Sequence, residues 1–407
     1  MNHGKIAMDI LNETVALAQA LIRCRSVAPD DDGAQTLLMD RLQSAGFSVE
    51  EIPCRGRRNF WAQIGNQGPL FAFAVHTDVV PEGELSEWTV DPYAGIVQDG
   101  YLIGRGAVDM KSQIACVILA VEQFLKECGG PENLAFRLGI FVTGDEEPEG
   151  NFGANAILDF LKARGQNIDY CVVTEPTSLE EFGDTVKIGR RGSIHGHVRI
   201  HGKQMHSSHP EQMINPIFQA LPILKELSEV QWCEGNTYFP RTTFQFTRIH
   251  ADGGASNTTP AELRFEFNLR FSNELTADKI RERVEDILKV SQLAYDCSWS
   301  CNAHPFLTEP GALTGLVKKV VARISGLEPV YSTGGGTSDG RFIAARGTEL
   351  VEFGFVGRMC HMVDEKAPLT EIDKLRNVYQ NILSEFQLRM NSDTKEITRS
   401  EYSSGGE

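Results

Sequence analysis

Acids and histidines in this chain stand where apolar runs stop. LGIFVTGDEEPEG, residues 138–150, passes from a strand-like stretch straight into Asp145, Glu146 and Glu147. GPLFAFAVHTD, residues 68–78, ends in His76, Thr77 and Asp78, and IDYCVVTEP carries Glu175 just past its apolar core. GRGAVDMKS puts Asp109 ahead of a helical pattern, and His361 follows the run ELVEFGF. Imidazole and carboxylate side chains together make a donor set that suits zinc. The H-x-D spacing adds to this. Residues i and i+2 of a strand share a face, so Asp78 can accept the second N–H of His76 and fix its tautomer.

The acid triplet needs compensation. Two like charges ~4 Å apart repel by about 4 kcal/mol at an effective dielectric near 20. On an exposed turn water screens most of that, but at the mouth of a buried strand it does not. Protonation, a basic partner or a metal ion then has to answer for it.

The elements that would carry these residues alternate. Helical patterns at Asp9–Arg23, Gly33–Ala45, Met110–Cys128 and Ala154–Arg164 are interleaved with strand-like runs through residue 191. That order predicts an α/β layer with a mostly parallel central sheet, whose ligands bind beyond the carboxyl ends of strands. After Arg191 the period changes. ELRFEFNLRFS alternates strictly, with Leu263, Phe265, Phe267, Leu269 and Phe271 on one side. Asn215-Pro216 and Thr276 open helices. The order βαββαβ predicts an inserted ferredoxin-like α+β domain at 192–304, within a catalytic domain formed by 1–191 and 305–390. Residues 391–407 are polar and without period, and are expected to form a disordered tail.

Bulk composition narrows the classes. With 407 residues, 41% hydrophobic and 23% charged, the chain has room for two domains. Its formal charge of −16 argues against nucleic acid as a partner. No apolar run approaches the ~20 residues that span a bilayer. Nine scattered cysteines without a C-x-x-C pair fit a reducing cytoplasm.

At this point the residues resemble a known family, that of the co-catalytic di-zinc aminoacylases and carboxypeptidases. The stretches that carry the likeness are HTDVVPEGE, GRGAVDMKS, TGDEEPEGNFGA, TEPT, VKIGRRGS, HGKQMHSSHPEQMINP, FNLRFSNELT and TGGGTSDGRFIA. They lie between His76 and Ala344, and the likeness they carry covers nearly the whole chain, from about residue 10 to 388; HTD and DEE are common to the wider family, whereas VKIGRRGS and TGGGTSDGRF discriminate within it.

The resemblance implies a zinc-peptidase-like catalytic domain, a lid and dimerisation role for the inserted domain, and two Zn2+ ions per subunit, with Co2+ able to substitute. It implies that Asp109 bridges the ions, that His76 and Glu175 complete one, and that Glu147 and His361 complete the other. Glu146 is then the general base beside them, Asp78 supports His76, and the Asp109–Met110 peptide is cis. His206 is implied to reach across a homodimer and stabilise the oxyanion. The reaction implied is hydrolysis of the amide of a small anionic N-acyl amino acid carrying three carboxylates and a free amine. Lys187, Arg190 and Arg270 would meet the carboxylates, with Arg341 beside them. Ser193, Asn257, Gly336 and Thr337 would add hydrogen bonds. His209, Ser112, Phe355 and Gly357 depart from the family pattern; they bear on substrate preference and leave the metal set intact.

Other readings compete. A related di-zinc deacetylase or dipeptidase shares the whole metal set. Gly336–Gly340 fits G-x-S-x-G, so Ser338 with Glu349 or Glu352 and His361 has the chain order of a serine hydrolase triad. The three glycines before Thr337 make a poor strand for that elbow. His195, His197 and His201 share a strand face with Arg199, the pattern of a solvated sheet face or a subunit contact.

Overall fold

The apolar runs of the outer segments become one eight-stranded sheet in the computed structural model, which describes residues 2–148, 152–290 and 294–403. Across the sheet the order is Ser48–Glu51, Phe60–Ile64, Arg137–Thr143, Leu70–His76, Tyr170–Val173, Glu349–Glu352, Thr185–Lys187, Val330–Ser332. The four strands from Arg137–Thr143 to Glu349–Glu352 run parallel, and the Ser48–Ile64 edge is antiparallel. Leu70–His76 is buried at every position, as expected for a parallel strand covered on both faces.

Two helices, Lys111–Cys128 and Leu369–Ser403, pack on each other. Phe71 and Phe73 lie beneath Phe386 and Tyr379, with ring centroids 5.0 and 5.3 Å apart. Each such ring taken from water contributes about 1.5–3 kcal/mol. The sheet that carries the site is therefore braced through its own core. The last helix continues to Ser403, where a tail without regular structure is expected from residue 391; residues 404–407 lie outside the described part. The polar composition removes an apolar face. It does not remove the local i→i−4 bonds by which a helix already nucleated propagates.

Register aligns the strand ends. His76 lies opposite Thr143, and Ala74 opposite Val173, which is itself opposite Glu352. The residues just beyond these positions leave the sheet along one edge.

The second unit comprises Gly189–Leu307 and the short run Thr333–Thr337, so its limits fall just outside the expected 192–304. It is a four-stranded antiparallel sheet in the order Thr243–His250, Glu262–Phe271, Gly192–His201, Tyr295–Ala303, with helices Pro216–Glu229 and Ala277–Val290. The chain order is the expected βαββαβ. Leu263, Phe265, Phe267, Leu269 and Phe271 are all buried, in one cluster with Ile223, Leu227, Ile280 and Val284 of the helices. Asn215 caps its helix, accepting from the Ile217 N–H at 3.0 Å. Gly196 has a packing reason: a Cβ there would meet the Phe267 ring.

Candidate active site

The candidate metal residues all belong to the first unit. The ring of His76, 2% exposed, ends its strand with Nε2 3.2 Å from Oδ1 of Asp109. Its Nδ1–H donates to the backbone carbonyl of Asp78 at 2.9 Å, while the Asp78 carboxylate stands off at 3.6 Å. That corrects the expected pairing. The carboxylate of Asp78 instead accepts the backbone N–H groups of Glu146 and Glu147, at 3.2 and 3.0 Å. Its geometric task is to shape the acid turn.

The other side of Asp109 faces His361, whose Nε2 lies 3.5 Å from Oδ2 and 2.9 Å from Oε1 of Glu147. His361 sits at φ 62°, a left-handed conformation few non-glycine residues take. The Asp109–Met110 peptide is cis, as the sequence likeness implies. Met110 is buried; its Sδ accepts from the His76 N–H at 3.3 Å and the Thr174 hydroxyl at 3.2 Å.

Asp145 turns away from its neighbours. Its carboxylate accepts the N–H groups of Phe152 and Gly153, at 2.7 and 3.0 Å, where the helix Gly153–Ala163 begins. The negative charge there meets the positive end of the helix dipole. The triplet is thus divided: Asp145 anchors a helix, and Glu146 and Glu147 lie among the candidate ligand atoms. Nothing in the run of three acids distinguishes their directions, because that depends on where the following helix lies.

Electrostatics favour a cation. Burial opposes charge on His76, yet its contacts with Asp109 and Asp78 outweigh this and raise its pKa well above the usual value. Bonds to Asp109 and Glu147 push His361 up to about 10. Burial works to raise Asp109, but the two imidazoles hold it well below the carboxylate range. Glu146 is pushed well above its range by burial and then by the charge of Glu175. These groups draw protons in where positive charge is needed. A metal ion supplies the same charge with donors already convergent: His76, Glu146 and Glu175 offer ligand atoms all within 4.8 Å of one another, as do His76, Asp109 and Glu147. Oxygen donors with imidazole fit zinc. The residues present therefore fit the implied metal, and Glu146 lies close enough to be counted with either role, ligand or base.

Lys187 is buried in the first unit. Arg341 also belongs to the first unit, and the other expected contacts belong to the second, where they form small groups. Arg190 donates to the Gly336 carbonyl at 3.2 Å, beside Thr337. Ser193 lies opposite Arg270 across two paired strands. Burial, and then Arg191, lower the pKa of Arg270 from its usual value. His206 has Asn257 on Nε2 at 3.1 Å and Ser208 on Nδ1 at 2.8 Å. Arg341 turns inward, its guanidinium donating to the Ser338 carbonyl at 2.7 Å.

Ser338 cannot serve as the nucleophile of a triad here. Fully buried, it donates to Oε1 of Glu352 at 2.5 Å, and no strand runs directly into it, because Val330–Ser332 ends well before it. His361, its required base, is committed to Glu147 and Asp109.

Arg105 and Glu365 escape a reading by motif. Both are buried and bonded to each other at 2.8 Å beside Asp109. The only available signal is an acid four residues after His361, in HMVDE.

Comparison with known proteins agrees with this geometry. Residues 72–385 match the family model for peptidase family M20/M25/M40. The chain is 43% identical to a succinyl-diaminopimelate desuccinylase of Thioalkalivibrio sulfidiphilus over 92% of its own length and 98% of that protein. Among solved structures, an aminopeptidase PepT from Bacillus cereus has a TM-score of 0.75 at 21% identity, covering 92% of this chain and 98% of that one. An M20 metallo-carboxypeptidase from Sulfolobus solfataricus has a TM-score of 0.74 at 15% identity, covering 91% and 98%. At such identities the structures speak for the fold alone.

Proposed function

The chain belongs to peptidase family M20/M25/M40, and from that premise we propose that it hydrolyses N-succinyl-LL-2,6-diaminopimelate to succinate and LL-2,6-diaminopimelate, a step of lysine and diaminopimelate biosynthesis. The substrate comes from the 43% identical relative. The observation that carries the chemistry is Asp109, a carboxylate whose two oxygens face two histidines from distant parts of the chain.

In this reading Asp109 would be shared between two zinc ions, one to be held with His76 and Glu175 and the other with Glu147 and His361; cobalt(II) would substitute. When bound, the ions supply Lewis acidity toward the scissile amide and make water nucleophilic near neutral pH.

Glu146 accepts the proton as water attacks the carbonyl. Its carboxylate form is favoured by neighbouring positive charge. The same residue then returns the proton to the leaving amine, so that nitrogen departs as a neutral group. Asp78 holds the turn that aims it, through the N–H groups of Glu146 and Glu147.

Recognition falls to cations set against an acidic chain. Lys187, Arg190 and Arg270 meet carboxylates of the substrate, and Ser193, Asn257, Gly336 and Thr337 donate or accept hydrogen bonds. His206 donates to the oxyanion, within a homodimer assembled through the second unit. Among the described residues no helix is long and apolar enough to cross a membrane. The nine cysteines are all free, which supports a cytoplasmic location.

The test is succinate release from N-succinyl-LL-diaminopimelate by zinc-loaded protein, with N-acetylornithine alongside. Activity on the succinyl substrate that chelation abolishes supports the reading. Chelator-sensitive activity on N-acetylornithine alone would keep the metal site and overturn the substrate.

A further inference from the structure

Glu365 is fully buried, and both of its carboxylate oxygens are used. Oε1 accepts the backbone N–H groups of Val108 and Asp109, at 2.8 and 3.0 Å. Oε2 accepts the Gly106 N–H at 3.1 Å and Nη1 of Arg105 at 2.8 Å. A residue four positions after His361 therefore holds the backbone of the turn that carries Asp109.

Arg105 extends the connection. It is 2% exposed, and its Nη1 also donates to the carbonyl of Met362, the residue after His361, at 3.1 Å. Its Nη2 donates to the carbonyl of Pro81 at 3.3 Å, on the loop that leaves the His76–Asp78 strand end. Three separate loops, each bearing a candidate ligand, thus meet at one guanidinium and one carboxylate. The hydrogen bonds of both side chains go to backbone atoms and to each other, and to none of the candidate ligand atoms.

A buried ion pair is a weak source of folding stability, because removing both charges from water offsets most of their attraction. Its planar, many-donor geometry does fix distances and directions. Asp109 and His361 are 252 residues apart in sequence, and their carboxylate and imidazole must converge on one ion to within tenths of an ångström.

We propose that the Arg105–Glu365 pair is a positioning clamp that sets the spacing of Asp109, His361 and His76, and thereby the affinity of the centre for its metal ions. This rests on the zinc reading above. Partners of that kind, which orient ligands without binding the ion, change metal affinity by roughly 10–100-fold when altered.

The experiment compares wild type, Glu365→Gln and Arg105→Lys. Zinc affinity is measured by competition with a chromophoric chelator, the visible spectrum of the Co2+-loaded protein reports ligand geometry, and thermal unfolding of the metal-free forms reports the fold. The clamp predicts that Glu365→Gln keeps a cooperative metal-free transition, binds zinc roughly 10–100-fold more weakly and gives an altered cobalt spectrum. Wild-type affinity and an unchanged spectrum, with only a lowered melting temperature, would make the pair structural and overturn the clamp. If Glu365→Gln does not fold, Arg105→Lys decides by the same two outcomes. It keeps the charge but cannot reach Met362, Pro81 and Glu365 from one ammonium. A wild-type protein that takes up no zinc overturns the metal reading and the clamp together, whereas unaltered variants of a zinc-binding wild type overturn the clamp alone.

Discussion

The Nδ1–H of His76 is held by the backbone carbonyl of Asp78, 2.9 Å away, and not by its carboxylate. A carbonyl only accepts, so this contact fixes the proton on Nδ1 and leaves Nε2, which faces Asp109, as the nitrogen that could bind a metal once the ring is neutral. The carboxylate is free to bind the N–H groups of Glu146 and Glu147. Asp78→Asn keeps one acceptor and turns an amide NH2 toward the other N–H. The expected outcome is a kcat lowered about 10–100-fold, with zinc affinity reduced much less. Steady-state kinetics with zinc titration would check it; equal losses in both would return Asp78 to the role of tautomer-setting partner.

In the proposed reaction Glu146 carries the proton, and Glu146→Gln removes that role while keeping shape. General acid–base catalysis contributes about 10²–10⁴-fold, so kcat should fall by that order. KM should change little, and zinc content not at all. A variant retaining more than a tenth of wild-type kcat would reassign the base.

Asp339 gives a pH test of the metal-free protein. Burial raises its pKa to about 6 from the usual 3.8, against the pull of Arg341. Thr143 donates to its Oδ2 at 2.7 Å. A raised carboxyl binds its proton more tightly when folded. Its contribution is therefore complete below pH ~4 and is lost as pH rises through ~6, on the order of 3 kcal/mol at about 1.4 per unit. Urea unfolding from pH 4 to 7 should show this decline in wild type and a shallower one in Asp339→Asn. Parallel profiles would show that Asp339 does not titrate in this window.

Ser338→Ala separates a buried structural serine from a nucleophile. The hydroxyl donates to Glu352 at 2.5 Å inside the first unit. Its loss leaves a buried carboxylate short of a donor and should cost about 1–3 kcal/mol in chemical denaturation, with zinc-dependent activity preserved in the folded fraction. Abolished turnover in a folded, zinc-loaded variant would reopen the serine reading.

Gly196→Ala probes the second unit. The added methyl meets the Phe267 ring at the centre of its apolar face. Overpacking of this kind costs about 1–3 kcal/mol. A lower urea midpoint is expected; an unchanged one would mean that the ring moves aside without cost.

Much of the architecture is legible in order and period. Apolar runs of four to seven residues, interleaved with helical stretches, state a parallel sheet. The strict alternation from Glu262 to Phe271 states a sheet with one wet face, as its burial bears out. His76, Glu146, Glu147 and Glu175 can be found as acids and imidazoles at strand ends, because a buried strand tolerates such groups only where it leaves the core.

Atomic partners are another matter. The sequence by itself determined the layer, the inserted βαββαβ unit and the residue types at the strand ends, since hydrophobic burial and backbone periodicity act over a few neighbouring residues. Only the tertiary structure decided that Asp145 anchors a helix while Glu146 and Glu147 turn inward. Only there does Asp78 offer His76 its carbonyl, and only there does Glu365 reach back 256 residues to the N–H of Asp109. Those choices turn on differences of about 1 Å between hydrogen-bonded and merely nearby atoms. Distances that small are set by strand register and loop closure between distant segments, which no local pattern encodes.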